Sequence, residues 1–336
     1  MGSPTSDFHA QLSLLYARDC LAATADSARY DTRVAFVTPD GHWRFPTKPD
    51  LSDATIASTP PDSFVAAMGR LTSFEIDVVV PQLFCLPGMT HYRALLDVVG
   101  LPYVGNRPDV MALTADKARA RAVVAAAGVP VPDAEVLLHG EVPSMAPPVV
   151  VKPVDADNSL GVSLVADAAE YDVALTAAWA HSDRALVERY VELGREVRCG
   201  VVVRDGQLVG LPLEEYAVDP VHKPVRDAHD KLAHDGDGEL YLVAKEATRA
   251  WIVDPGDPVT ERVWELARRC HSALGCRQYS LFDFRIDPAG QPWFLEAGLY
   301  CSFADKSVVA VMARAAGIAL PDLFASALDQ AMKKES

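Results

Sequence analysis

Apolar and polar positions follow two different rhythms along this chain. Early on, short β-branched runs at residues 33–37 and 76–80 read as buried parallel strands, each followed by a polar or Pro/Gly-containing loop. Residues 92–99 have helical spacing closed by Gly100, and 102–105 form a short extended piece. This predicts an α/β wrapping over roughly the first 110 residues. Residues 114–127, Ala-rich with an early Asp116, predict one helix ending at Gly128, after which Gly128-Val-Pro-Val-Pro132 forces the chain out of helix. Beyond this point the period shortens to two. Residues 149–152, 161–165, 185–190, 196–203 and 208–213 predict strands, interrupted by a helix over 168–180. The pattern is a small antiparallel α+β unit running into a larger one. Residues 214–239 are charged and aperiodic, and predict a long loop, either a functional lid or disordered. A helix over 257–274, a hairpin over 280–295 turning at Asp287–Gly290 and one or two closing helices complete the chain.

Composition narrows the class. With 336 residues, 50% hydrophobic and 23% charged, the chain is an ordered globular protein of about two domains by length. A net charge of −15 argues against nucleic acid or an anionic membrane as a partner. No apolar run approaches the ~20 residues of a membrane span, and the N-terminus lacks signal-peptide character. The six cysteines show no CxxC pairing and read as reduced thiols of a cytoplasmic protein.

Candidate chemistry is concentrated in four stretches. Lys152 leaves the apolar run 149–153 and is followed by Asp155-Ala-Asp-Asn-Ser-Leu-Gly-Val162. A lysine leaving a buried strand is costly unless it meets an anion, and a Gly-containing turn can offer backbone N–H groups to phosphate. A strand-end lysine with an ordinary turn has equal weight. Lys117 stands at a helix start, where anions are favoured, although by itself a helix-surface lysine explains it better. Glu188 and Glu196 flank a tight turn after an apolar strand; they suit the amino group of a base and ribose hydroxyls, or else a solvated strand edge. Asp283 and Glu296, thirteen residues apart across the predicted hairpin, can share one face. Two acids with apolar flanks repel unless a cation joins them, which magnesium bridging phosphates would do.

In this order and spacing the stretches resemble the ATP-grasp fold, in its D-alanine–D-alanine ligase-like branch, over about residues 77–320. The resemblance is carried by PYVGN (102–106), ADK (115–117), GVPVP, VVKP with DNSLGVS, ERY…GRE, DFRIDPAGQPWFLEA and MARAAGI (312–318). It implies a mixed α/β and α+β class: an N-terminal α/β lobe over 1–113, a small lobe over 114–187, and a C-terminal lobe with the metal site over 188–330. The last two would enclose ATP with Mg2+ or Mn2+. Residue by residue, Lys117 and Lys152 would contact phosphates, with Ser159 and Gly161 in the phosphate loop. Glu188, with Arg189 beside it, would lie near adenine and Glu196 on the ribose. Asp283 and Glu296 would hold the metal, and Lys231 would reach the terminal phosphate. The implied reaction is attack of a carboxylate on that phosphate, giving an acylphosphate and ADP, followed by displacement of phosphate by an amine. The branch also implies a homodimer.

Departures from the family pattern bear on the substrates. The family's Glu-x-Asn reads Glu296-Ala-Gly298, and glycine offers no side-chain ligand to a second magnesium. An arginine usually two residues before the first metal carboxylate is Leu281; Arg285 or Arg277 are its candidate replacements. Ser307 keeps the place of a serine that grips the second substrate's carboxylate, and Lys306 adds a cation. The usual His-Gly stretch reads QLFCLPGMT at 82–90. The stretches YSLFDFR and LEAGLYCSF also resemble ligases that attach an amino acid to mycosporine-type cores. Together these imply an ATP-dependent ligase of specialised metabolism, forming an amide or imine-type C–N bond between a small-molecule carboxylate and an amino acid. Ordinary D-alanine–D-alanine ligation and a non-catalytic ATP-binding protein are the alternatives. His222, His229 and His234, spaced by seven and five, suit no helix face and read as a solvated lid.

Overall fold

The computed structural model describes residues 1–156, 159–219, 225, 232–234, 240–242 and 249–333. The N-terminal region departs from its pattern. Of the two parallel strands predicted there, only Phe36–Val37 forms, antiparallel to Trp43–Arg44, which in turn pairs with Pro61–Asp62. The run at 76–80 supplies one parallel bridge, Val79 to Tyr103. Pro81 closes that run and Pro102 opens its partner, so neither end has the N–H needed to extend the ladder. Helices supply much of the lobe: Asp7–Thr24, capped by the Ser6 hydroxyl, Phe64–Ser73 and His91–Val99. The single helix predicted over 114–127 is two, Pro108–Ala115 and Lys117–Ala126. Asp116 leaves helical geometry between them, and its carboxylate accepts the Arg119 N–H as an N-cap.

A four-stranded antiparallel sheet follows, in the order Ala134–Leu138, Arg184–Arg189, Val149–Pro153, Ser163–Val165. Alternation sorts its residues. Val149, Val151, Ala185 and Val187 join a core with Ala174, Leu175 and Ala178 of helix Tyr171–Trp179. Lys152 and Glu188, of opposite parity, are left for the other face.

The larger sheet runs Ala250–Ile252, Glu214–Tyr216, Arg195–Arg204, Tyr279–Ile286, Pro292–Ala297, with Gln207–Gly210 also paired to Arg195–Arg204. The loop predicted from 214 onward therefore begins as a strand. Its buried Glu214 and half-buried Glu215 disguise the period of two. Leu232–His234, in the same stretch, pairs with Leu240–Leu242 just beyond it.

On one face of the two central strands, Val197, Cys199, Val201, Phe282, Phe284 and Ile286 form a core with helix Val259–Ala273. Each buried Phe contributes roughly 2 kcal/mol of apolar transfer. The opposite face is divided along its length. Val202, Tyr279 and Leu281 pack with Val308–Ala315 and Leu320–Met332. Glu196, Arg198, Asp283 and Arg285 occupy the other end, where register places Arg198 against Asp283 and Glu196 against Arg285.

The N-terminal lobe is fastened to this sheet by the PYVGN segment. Buried Asn106 donates to the carbonyls of Tyr279 and Leu299 at 3.1 and 3.2 Å and accepts the Arg277 N–H at 2.8 Å. Gly105 lies so close to Tyr279 that a Cβ would come within 2.6 Å of its hydroxyl.

Candidate active site

The polar face of the smaller sheet and the polar end of the larger one enclose a cleft of about 730 Å³. Nine residues anticipated from the sequence line it: Lys117, Lys152, Ser159, Glu188, Arg189, Glu196, Asp283, Arg285 and Glu296. Lys152 Nζ lies 2.6 Å from Glu188 Oε1, and both side chains are buried. Lys117 begins its capped helix. Its backbone N–H donates to Val154 at 2.9 Å, and its ammonium donates to the Ala156 carbonyl, tying it to the loop after Lys152. Asp116 also takes the Arg184 guanidinium at 2.8 Å, joining that helix to the small sheet. Within the loop, Ser159 and Gly161 are left-handed at φ 57° and 66°. Gly161 does not line the cleft. It seats the loop on the lobe, since a Cβ there would come within 2.8 Å of the Ala177 carbonyl oxygen.

At the acidic end, Asp283 and Glu296 occupy paired positions on adjacent strands. An irregularity creates this pairing. Register continued from Arg285–Trp293 would put Leu295 opposite Asp283, but a bulge inserts one residue and brings Glu296 there. The bulge also breaks alternation, so consecutive Leu295 and Glu296 both line the cleft. Two carboxylates suit a hard divalent cation such as Mg2+ or Mn2+ completed by phosphate and water. Among the described residues, no group of three or more His, Cys, Asp or Glu is arranged to hold a metal ion by itself.

Two arginines shape the charge. Arg285 pairs with Glu196 at 2.8 Å, both buried, and lies over the Tyr190 ring. It therefore stands beside the carboxylate expected to meet ribose. Arg198, which the sequence did not single out, donates from Nε to Asp283 Oδ1 at 2.8 Å. Burial alone would lower its pKa, but Asp283, Tyr216 and Glu214 outweigh this and hold it well above the ordinary arginine value. The available signal was its parity with Glu196 on the same strand. Pro132, Val150, Leu160, Val162, Val191 and Leu295 add apolar lining.

Other anticipated residues lie away from this lining. Ser307 is buried at the N-terminus of Val308–Ala315, its hydroxyl 3.4 Å from Cys301 Sγ. Lys306 is exposed and acts on Asp19, whose carboxyl burial raises and Lys306 lowers. Arg277 holds the Gly105 and Tyr103 carbonyls at 2.6 and 3.1 Å, so it fastens the N-terminal lobe rather than entering the cleft. Segments 82–92 and 299–307 do meet: Gln82 donates to the Ser302 carbonyl at 2.9 Å, and the Phe84 and Tyr300 rings lie 5.6 Å apart. Lys231, His222 and His229 lie outside the described residues, as does the His234 side chain.

Comparison with known proteins places this geometry in context. Residues 124–329 match the family model described as D-ala D-ala ligase C-terminus. A D-alanine--D-alanine ligase of Citrifermentans bemidjiense is 30% identical over 246 residues, covering 72% of this chain and 74% of that protein. The VanG D-Ala:D-Ser ligase from Enterococcus faecalis superposes with TM-score 0.77 at 23% identity, over 99% of this chain and 96% of that one. A D-alanine--D-alanine ligase from Bacillus anthracis complexed with ATP gives TM-score 0.71 at 18% identity, over 98% and 95%. The fold is thus the ATP-grasp architecture of these solved ligases.

Proposed function

The chain belongs to the D-alanine–D-alanine ligase family of ATP-dependent C–N ligases, and from that premise we propose that it joins D-alanine to a second D-alanine or a related D-amino or D-hydroxy acid, with ATP converted to ADP and phosphate. The observation that carries this reading is the single cleft in which Lys117, Lys152, Glu188, Glu196, Asp283 and Glu296 converge. ATP lies between the two sheets, with Lys117 and Lys152 toward its phosphates and Glu188, Arg189 and Glu196 toward its nucleoside. Asp283 and Glu296 would hold Mg2+, which would neutralise phosphate charge when bound. The chain's own residues position the phosphates against the carboxylate nucleophile and offset charge on them.

Specialised metabolism, including a mycosporine-type substrate, finds no support among the relatives. Their names favour ordinary dipeptide ligation, which stood second in the sequence reading. Leu281 and Gly298 then mark local differences within that chemistry. The deciding experiment follows ADP release with D-alanine paired with D-alanine, D-serine, D-lactate or L-amino acids. Turnover with a D-alanine pair or its D-serine or D-lactate counterpart supports the reading, and ADP release only with L-amino acids overturns it. Replacing Lys152 by alanine should lower kcat by about 100-fold or more, the scale seen when one electrostatic contact to developing charge is removed. The homodimer is checked by light scattering of the whole chain.

A further inference from the structure

The acidic end of the cleft carries a built-in cation. Arg198 Nε meets Asp283 Oδ1 at 2.8 Å from the directly opposite strand position. The guanidinium is hemmed in elsewhere too. Its carbon lies 5.1 Å from the centre of the Tyr216 ring, and Glu214 is its register partner on the third strand. The Arg198 side chain is 17% exposed and that of Asp283 is 6%, so water screens their attraction poorly. Position 298 is open by contrast. A Cβ there would touch only Leu281 Cδ2, at an ordinary 3.9 Å.

We propose that Arg198 is a positioning residue that fixes the Asp283 carboxylate and supplies, as a permanent charge, what a second divalent cation would otherwise supply, so that the cleft takes one metal ion per nucleotide. This rests on reading the cleft as a nucleotide and metal site. One oxygen of Asp283 is committed to the guanidinium, so the carboxylate that would meet a cation is already partly neutralised. A second dication held through Glu296, the register partner of Asp283, would sit beside this fixed positive charge. Gly298 offers no side-chain oxygen to offset that repulsion, and two-metal sites depend on shared ligands. Arginine suits the task because it stays charged in a buried site and its planar fork orients a carboxylate.

The test counts bound Mn2+ by the loss of its free-ion EPR signal, in whole protein saturated with an imido analogue of ATP. Nucleotide occupancy is measured separately by equilibrium dialysis. One Mn2+ per nucleotide is expected for the unchanged protein, for Arg198→Lys and for Gly298→Asn. Two are expected for the double variant Arg198→Thr/Gly298→Asn. Two Mn2+ in the unchanged protein or in Gly298→Asn overturn the proposal while leaving the nucleotide reading intact. So does a double variant that binds nucleotide with a single Mn2+. If the double variant fails to bind nucleotide, the count in Gly298→Asn decides alone. Failure of the unchanged protein to bind the analogue removes the nucleotide reading itself, and this inference with it.

Discussion

Lys152 and Glu188 show how much one residue's role depends on its partner. Each is a buried charge held by the other at 2.6 Å. Breaking such a pair leaves the survivor unpaired in a dry site, at a cost of about 3–5 kcal/mol. Lys152→Met and Glu188→Gln should each lower the urea midpoint, and the double variant should lose less than their sum. An additive result in that cycle would mean that the pair is not coupled. His271 makes a second residue-scale prediction. It is buried in helix Val259–Ala273 with Nδ1 2.8 Å from the Ser280 hydroxyl, and burial lowers its pKa to about 4. Unfolded, it titrates near 6.5, so between pH 6.5 and 4 the unfolded chain binds more protons. Its contribution is complete above that window and is lost as pH falls through it, by roughly 3 kcal/mol in all. Denaturation midpoints at pH 7 and 4.5 should differ less in His271→Gln than in the unchanged protein.

Elements turn these residues toward one another, and here the sequence was only partly readable. The lysine-bearing strand at 149–153 and the hairpin carrying Asp283 were legible because apolar alternation and turn residues are local signals. The meeting of Asp283 with Glu296 was anticipated from a spacing of thirteen, yet that spacing pairs them only through the bulge at Leu295, which no local pattern announces. Arg198 stayed hidden because a charged residue on a strand reads as solvated until the neighbouring strand is known. The N-terminal helix Asp7–Thr24 was missed because its apolar residues form no clean stripe. The helix break at Asp116 was missed because an acid in a first turn and an acid at an N-cap look alike in sequence. That cap gives a prediction of its own. Asp116→Ala should lose about 1 kcal/mol of capping, together with the Arg184 contact. Because Lys117 begins the capped helix, KM for ATP should rise more than kcat falls, and initial rates across ATP concentrations will show the split.

Among the described residues, two cores lie within the N-terminal lobe and three more divide the rest of the molecule. Of these three, one underlies the larger sheet, a second joins it to the closing helices, and a third belongs to the smaller sheet alone. The Asn106 contacts knit the N-terminal lobe into the strand that carries Asp283. The smaller sheet is joined more sparingly, with the Lys117–Val154 hydrogen bond and the Asp116–Arg184 pair among its ties. Hydrogen exchange should register this asymmetry. Adding nucleotide should slow amides in 149–165 and 184–189, while those of 104–106 and 279–282 stay slow throughout. Equal slowing in both sets would contradict it. The buried asparagine thus has a mechanical meaning. On the proposed reading it makes an anvil of the N-terminal and C-terminal lobes and leaves the smaller lobe as the jaw, so the substrate side of the cleft would keep its shape while the nucleotide comes and goes.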